Sequence, residues 1–285
     1  MVTVIRSAAF TSDPAGGNPA GVVLHAEGLD DAAMQRIAAE VDYAETAFVT
    51  GVGESNPSIR YFSPIAEVPF CGHATIATAV ALIEHDHVQV GELTFRTPVG
   101  PIVIRTARSD GAVSASFTSV EPVVEPMGDE TLAQLTDLIG VSAGDVSQVM
   151  PPALVFAGNI HPLLALSDRT VFDSFAFDPV AARSLMDRNG WPATIVIIHG
   201  TVDGGITARN IFPVGRITED PATGSAAAAI GAYVRAHGLV SPPASFVIHQ
   251  GEHVGRPSLL TVEIPESGGI TVSGTAVEIT NASEH

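Results

Sequence analysis

The sequence predicts an α+β protein made of two similar halves, and two observations support this prediction. Each half contains a run of small apolar residues suited to a buried helix, residues 76–83 in the first and 226–234 in the second. Each run follows a glycine-containing segment and has strand-like segments around it. The pattern breaks into proline and glutamate around 120–126, so we predict domains at 1–120 and 121–285, leaving it open that the last strands pack back onto the first domain.

The first half is predicted to contain one amphipathic helix and one apolar helix. Apolar residues recur on one face of residues 30–41, which is typical of a helix lying on a core. Residues 75–84 are nearly all apolar and should form a helix that is buried on every side. The predicted strands of this half are 2–9, 21–24, 45–50, 59–63, 93–97, 102–107 and 113–118.

The second half repeats the same kinds of element in a similar order. Its predicted helices are 130–139, 179–188 and 225–237, of which the last is the apolar one. Its predicted strands are 148–156, 162–166, 194–199, 205–212, 245–249, 259–264 and 270–279.

Composition excludes several functional classes. The formal net charge is −18, so binding to nucleic-acid phosphates is not expected. A local dipole can still attract an anionic substrate. Cys71 is the single cysteine, which rules out an intramolecular disulfide. The chain has no basic leader followed by an apolar run and no stretch of roughly 18 apolar residues, so we expect a cytoplasmic protein with no membrane segment.

The two glycine-containing segments, 69–75 and 219–225, each place polar side chains where an apolar helix is predicted to begin. A helix start presents unpaired backbone N–H groups and partial positive charge. Such a place can hold a carboxylate or a developing oxyanion. The two helix starts are therefore the first candidate for an active site.

Three residues of the first half could carry chemistry. Glu45 stands at the entry to an apolar strand, where burial would raise the pKa of its carboxyl and let it give and take protons. His73 could donate to a carbonyl or act as an acid, and Cys71 could be a nucleophile or a racemase base. The ordinary alternatives are a solvent-exposed glutamate, a structural histidine and a small buried cysteine. Residues 18–21 could likewise be only a turn.

In the second half, Asp220, Thr223 and Ser225 combine a carboxylate with two hydroxyls. The alternative is a helix-capping segment with Thr223 or Ser225 as N-cap. Residues 250–251 and 255–258 could form a further loop of the site or a surface turn. The chain contains no GxGxxG segment after a strand, no P-loop and no HExxH, so the sequence predicts no nucleotide cofactor and no metal site.

Over nearly its whole length the chain resembles the phenazine-biosynthesis (PhzF-like) family. Each motif is short, but all of them occur in the family's order. They are Phe10-Thr11, Gly17-Asn18-Pro19-Ala20-Gly21, Ala44-Glu45-Thr46-Ala47-Phe48, Arg60-Tyr61-Phe62-Ser63-Pro64, Glu67-Val68-Pro69-Phe70-Cys71-Gly72-His73-Ala74-Thr75, Glu219-Asp220-Pro221-Ala222-Thr223-Gly224-Ser225-Ala226, Gln250-Gly251, Gly255-Arg256-Pro257-Ser258 and Val272-Ser273-Gly274-Thr275-Ala276-Val277.

The resemblance implies the diaminopimelate-epimerase-like fold. In that fold two similar α+β domains each wrap a barrel-like sheet around a central apolar helix, with the active site in the cleft between the domains. Members are often homodimers. The resemblance further implies a cofactor-independent isomerase of a small anionic, possibly cyclic, carboxylate, as in the isomerisation of a dihydro-hydroxyanthranilate. Fold alone does not fix the substrate.

Carried over by position, the resemblance assigns catalytic roles to Glu45, His73 and Asp220, with Glu45 as the proton-transferring carboxylate. The substrate-binding residues it implies are Asn18, Ser63, Gly72, Thr223, Gly224 and Ser225. Relatives of the same fold include racemases with two opposed cysteines. Here Cys71 stands at one of those positions and Thr223 at the other, which disfavours a two-thiol reaction. The alternatives that stay open are a racemase or epimerase using Cys71, and a binding protein without catalysis.

Overall fold

The computed structural model describes residues 2–214 and 217–280, which form two compact units. Unit 1 comprises the chain up to Thr118 together with the segment from Ser273 onward, and unit 2 is Ser119–Val272. The elements up to residue 118 are β1 (Ile5–Ala9), β2 (Asn18–Val23), α1 (Asp31–Val41), β3 (Glu45–Thr50), β4 (Ser58–Phe62), β5 (Glu67–Val68), α2 (Gly72–Glu84), β6 (Glu92–Thr97), β7 (Gly100–Ser109) and β8 (Ala112–Thr118).

The remaining elements belong to unit 2, except for the last strand, within which the division between the units falls. They are β9 (Val123–Pro126), α3 (Asp129–Ile139), β10 (Ala153–Phe156), β11 (Ile160–Ala165), α4 (Arg169–Ser174), α5 (Pro179–Asn189), β12 (Ile195–Thr201), β13 (Gly205–Val214), β14 (Ile217–Asp220), α6 (Gly224–Ala236), β15 (Ala244–Gln250), β16 (Ser258–Ile264) and β17 (Thr271–Glu278).

Unit 1 is a closed barrel of eight strands around helix α2. The strands pair in the order β1, β2, β3, β4, β6, β7, β8, β17 and back to β1. Closure gives each of these eight strands a neighbour on both sides. Every residue of α2 from His73 to Ile83 is buried, as the apolar sequence of this segment predicted. The helix contacts β1, β2, β3, β7 and β8.

Unit 2 repeats the topology of unit 1. In both units a hairpin leads through helical crossovers to a parallel neighbour, as β2 pairs with β3 and β11 with β12. A second hairpin follows in each unit, formed by β3 and β4 in unit 1 and by β12 and β13 in unit 2. A short strand and the buried helix come next. The strand after the helix then pairs in parallel with the second strand of the hairpin, β6 with β4 and β15 with β13. Helix α6 is therefore the counterpart of α2. Its residues Ala226–Val234 are all buried.

Apart from α3, whose N-cap is Gly128 and has no side chain to cap with, the α-helix starts fall into two groups. The side chains of Asp30, Asp168 and Asp178 accept hydrogen bonds from the first turns of α1, α4 and α5, which is the usual way to satisfy those donors. Within the described residues, the N-cap positions of α2 and α6, Cys71 and Thr223, make no side-chain capping bond. The two buried helices therefore keep their first N–H groups uncapped by the residue at this position.

The structure departs from the sequence-based elements in several places, and the short elements β5 and α4 were among those not predicted. Residues 18–21, for which a turn was one interpretation, form the start of β2. The strand predicted at 148–156 begins only at Ala153, because two prolines precede it and have no N–H to donate. Strand β9 lies where we predicted only a domain boundary, with its proline at the last position. Strand β14, which carries Asp220, was not predicted because its four residues show no apolar alternation.

No helix in the described part of the chain combines the length and the apolar character needed to cross a bilayer.

Candidate active site

Three potentially reactive side chains meet at the start of α2. Glu45 is the first residue of β3, and its Oε2 lies 3.6 Å from the Cys71 Sγ and 3.5 Å from the His73 Nε2. The Cys71 Sγ lies 3.3 Å from the His73 Nδ1. The Glu45 side chain is 15% exposed and that of His73 is 7% exposed. The carboxylate is therefore mostly buried but accessible at one edge.

His73 is neutral near pH 7. Burial lowers the pKa of its imidazole to about 4, and a hydrogen bond to the backbone of Pro19 acts in the opposite direction. Proline has no N–H, so the Pro19 carbonyl accepts from a ring N–H of His73. The contact between His73 and Glu45 is therefore a polar contact of a neutral ring with a carboxyl group, not an ion pair. This contact also gives residues 18–21 a role that the sequence did not reveal.

A chain of hydrogen bonds holds the backbone of Cys71 in place. The Thr75 hydroxyl donates to the Cys71 carbonyl at 2.6 Å, so it accepts from the Tyr61 hydroxyl, whose oxygen lies 2.7 Å away. Burial raises the pKa of Tyr61, which keeps the phenol protonated. The Tyr61 ring contacts Phe70 edge to face, and Phe70 contacts Phe117 in the same way. These aromatic rings exclude water from beneath the helix start.

Gly72 is not required by packing. A Cβ at this position would lie 3.5 Å from the Phe117 ring, which is an ordinary van der Waals distance, and the backbone is helical. A glycine at this position leaves the backbone open to close approach by a ligand.

In unit 2 the start of α6 carries a network around Asp220. The Thr223 hydroxyl donates to the Asp220 Oδ2 and does not cap the helix, so the capping interpretation of Thr223 is wrong about the hydrogen bond although right about the position. The Gln250 side chain donates to the Asp220 carbonyl at 2.6 Å and accepts from the Thr223 N–H at 3.2 Å. Gly251 is essential to this arrangement, because a Cβ there would lie 2.6 Å from the Pro221 carbonyl oxygen.

Asn210 faces the same side of the sheet as Asp220. The two residues are directly paired between β13 and β14. Their neighbours Arg209 and Glu219 point to the other face, where they form a buried ion pair. Asn210 is 1% exposed, and neither polar atom of its carboxamide has a hydrogen-bond partner among the described residues. A buried amide without partners costs about 1–3 kcal/mol, so this group has an unused donor and an unused acceptor.

His161 fixes the direction of the Ser225 hydroxyl. The His161 Nδ1 lies 3.0 Å from the Thr194 carbonyl oxygen, which can only accept, so Nδ1 carries the hydrogen. Burial lowers the pKa of His161 to about 4, hence the ring is neutral and Nε2 accepts. The Ser225 hydroxyl, 3.0 Å from Nε2, therefore donates to His161. The Ser225 hydroxyl therefore has only acceptor capacity left for a ligand.

The structure thus groups the sequence-predicted residues by unit. Glu45, Gly72 and His73 meet in unit 1, where Asn18 lies beside Pro19 at the start of β2. The Ser63 hydroxyl is engaged in a turn, in which it accepts from the Ala66 N–H and donates to the Ala66 carbonyl. The predicted residues of unit 2 are Asp220, Thr223, Gly224 and Ser225, and all lie within six residues at the start of α6.

Sequence reasoning missed Asn210 and His161. His161 is the single polar residue of strand β11, and Asn210 follows Thr207 and Arg209 in strand β13. Their partners or neighbours are distant along the chain, so the role of each side chain becomes visible only once the fold is known.

The chain matches the family model described as "Phenazine biosynthesis-like protein" over residues 7–282. It is 32% identical to the uncharacterized isomerase YfhB of Bacillus subtilis, covering 96% of this chain and 95% of that protein. It is 30% identical to the uncharacterized isomerase YddE of Escherichia coli, with the same coverage of each. Both relatives are named as isomerases.

Solved structures agree with these sequence relatives. A PhzF-family protein of Bacillus anthracis superposes with a TM-score of 0.87 at 26% identity, covering 98% of this chain and 97% of that one. A predicted epimerase of Pseudomonas aeruginosa gives a TM-score of 0.84 at 26% identity and covers 98% of each chain. A probable proline racemase of Agrobacterium radiobacter shares the fold, with a TM-score of 0.63 at 14% identity over 97% of this chain and 91% of that one. The chain belongs to the phenazine biosynthesis-like (PhzF) protein family and is an isomerase with the diaminopimelate-epimerase-like fold.

Proposed function

We propose that this isomerase works without a cofactor and that Glu45 moves a hydrogen on a small carboxylate substrate. The observation that carries the proposal is the position of the Glu45 carboxyl beside His73 and Cys71, at the uncapped start of a buried helix. A general base must lie within hydrogen-bonding reach of the proton that it removes. The exposed edge of Glu45 is the part of this group that a bound substrate can reach.

The neighbouring groups stabilise charge while the proton moves. The first N–H groups of α2 point toward an oxyanion bound there, and the helix dipole adds to their effect. His73 is neutral, so it contributes a polar contact without a full charge. General acid–base catalysis contributes about 10²–10⁴-fold in rate, and positioning of the substrate supplies the rest.

We propose that the group around Asp220 in unit 2 binds a small carboxylate. Asn210 offers an unused N–H₂ donor and an unused carbonyl acceptor, and Ser225 offers acceptor capacity. The backbone N–H groups at Gly224 and Ser225 add two further donors. Together these donors and acceptors suit a ligand that carries a carboxylate next to a hydrogen-bond donor. A hydroxyproline epimerase with the same fold, at 14% identity, has trans-4-hydroxy-L-proline bound, which is a ligand of this chemical type.

The alternative is an epimerase that uses the Cys71 thiol as a base. The contacts of its Sγ with Glu45 and His73 favour this alternative. The equivalent position of unit 2 is occupied by Thr223, whose hydroxyl is already donated to Asp220. A pair of opposed thiol bases is therefore not available in this chain, and we favour Glu45.

The test compares three variants in an assay of product formation from candidate carboxylates. Glu45→Gln should lower kcat at least about 10²-fold, because the amide cannot accept the proton, while the melting temperature stays near that of the wild type. Cys71→Ala should keep most of the activity. Glu40→Gln, which changes an exposed carboxylate of α1, is the matched control and should behave as wild type. Normal turnover by Glu45→Gln would reject the assignment, and loss of activity in Cys71→Ala alone would favour the epimerase.

A further inference from the structure

The side chains at the start of α2 have the composition of a metal site as well as of an acid–base site. One atom each from Glu45, Cys71 and His73 can be chosen so that all three lie within 4.8 Å of one another. The sequence gave no indication of this group, because Glu45 is 26 residues away from Cys71 in the chain. The closed barrel brings them together.

Two of the three distances lie within the edge lengths of a tetrahedral zinc site, and the third is longer. The distances are 3.5 Å between the Glu45 Oε2 and the His73 Nε2, 3.6 Å between Oε2 and the Cys71 Sγ, and 3.9 Å between Sγ and Nε2. Typical Zn–S, Zn–N and Zn–O bonds at tetrahedral angles require separations of roughly 3.3–3.6 Å. Shifts of a few tenths of an ångström would therefore complete the geometry.

The chemistry of the three atoms selects the kind of cation. A thiolate, an imidazole and a carboxylate suit Zn²⁺ and Co²⁺, whereas Mg²⁺ prefers oxygen ligands alone. The charges of the thiolate and the carboxylate balance a divalent ion. A hydrogen bond to the backbone of Pro19 also fixes the orientation of the His73 ring.

We propose that Glu45, Cys71 and His73 form a site for one Zn²⁺ or a similar borderline-soft divalent cation, and that occupation of this site inhibits the enzyme. Binding breaks the S–H bond of Cys71, releases that proton to solvent and forms a metal–sulfur bond. The inhibitory part rests on the proposed function, because a carboxylate that ligates the metal no longer accepts a proton from carbon. The protein supplies three ligands, so the fourth position stays open to water or to a substrate carboxylate.

The test is a titration of chelator-treated protein with Co²⁺, followed by absorption. A thiolate bound to Co²⁺ gives a charge-transfer band in the near ultraviolet, and because the chain has one cysteine, such a band reports on Cys71 alone. We expect one equivalent of Co²⁺ per chain, displacement by Zn²⁺ and no competition by Mg²⁺. Cys71→Ser should lose the band, and His73→Gln and Glu45→Gln should each weaken Co²⁺ binding at least about tenfold.

His85→Gln is the matched control. His85 pairs with the carboxylate of Glu278 at 2.6 Å on the surface of unit 1 and should not affect the band. Absence of the band, or equal affinity in the wild type, His73→Gln and Glu45→Gln, would overturn the site. Zn²⁺ at concentrations that displace Co²⁺ should block isomerisation, with recovery after chelation. Full activity of the Zn²⁺-loaded enzyme would overturn the inhibitory part. If the Co²⁺ band forms in the wild type but Glu45→Gln leaves isomerase activity unchanged, the metal site stands and the proposed function is rejected.

Discussion

The starts of α2 and α6 occupy equivalent places in two units of the same topology, yet they carry different chemistry. Each follows a short strand by three residues and begins at a glycine, Gly72 or Gly224. The residue before the glycine is Cys71 in unit 1, in contact with a carboxylate and an imidazole, and Thr223 in unit 2, tied to Asp220. We infer that one scaffold was specialised twice, for proton transfer in unit 1 and for binding in unit 2.

The strands beneath the helices show the same division. Tyr61 and Asn210 hold equivalent places, each paired with the short strand that precedes the buried helix. Tyr61 is fully engaged with Thr75 and so supports the helix, whereas the carboxamide of Asn210 has no partner among the described residues. Satisfied polar groups stabilise the fold, and an unsatisfied buried group lowers stability unless a ligand completes it. This difference can be tested without knowledge of the substrate.

The largest expected effect on stability comes from a glycine in unit 2. Gly251→Ala places a Cβ 2.3 Å from the Arg256 carbonyl oxygen at a residue with φ of +83°, so it should lower the free energy of unfolding by about 3 kcal/mol or more. Gly72→Ala is the matched variant of unit 1, where space is available, and it should leave stability unchanged. Urea unfolding of both variants measures the difference, and equal losses would refute the view that only the unit 2 loop requires its glycine for folding.

Two buried carboxamides of unit 2 should respond with opposite signs. Asn210→Leu removes a donor and an acceptor that have no partner in the described part of the chain, so the free energy of unfolding should stay constant or rise by about 1 kcal/mol. Gln250→Leu removes bonds to Asp220 and Thr223 and should lower it by about 1–3 kcal/mol.

Thermal and urea unfolding give both values for these carboxamides. A destabilised Asn210→Leu protein would show that Asn210 serves the fold and not a ligand.

A further effect is a dependence of stability on pH through His161, which is small at any single pH near neutrality. Burial lowers the pKa of His161 to about 4 in the folded protein, against about 6.5 for an unperturbed histidine. Between these values the unfolded state binds more protons, so the free energy of unfolding should fall by up to about 1.4 kcal/mol per pH unit as pH decreases from 6.5 to 4. His161→Gln should lose this part of the slope, and the exposed His25→Gln should keep it. Identical slopes in all three proteins would contradict the buried, neutral state of His161.

Local sequence pattern predicted the framework of the fold well. The apolar character of α2 and α6 indicated two buried helices, and strand β3 was predicted with the boundaries that the structure has, Glu45–Thr50. Local pattern could not predict β9 or β14, because short strands with polar residues are defined by their neighbours in the sheet.

The site was predicted in part, for a related reason. Motifs and family resemblance identified residues at both helix starts, since these lie close together in sequence. The contacts of His161 with Ser225 and of His73 with Pro19 join distant segments, so they depend on the closed topology. The grouping of Glu45 with Cys71 and His73, for which we propose a metal, has the same origin.

The most direct test of the division between the units is the wash-in of solvent deuterium into the substrate, followed by NMR in D₂O. We predict that Glu45→Gln shows no wash-in at any substrate concentration, because the group that exchanges the hydrogen is missing. Asp220→Asn should show slower wash-in that recovers toward the wild-type rate as substrate approaches saturation. Wild-type wash-in by Glu45→Gln, or its complete loss only in Asp220→Asn, would contradict the assignment of proton transfer to unit 1.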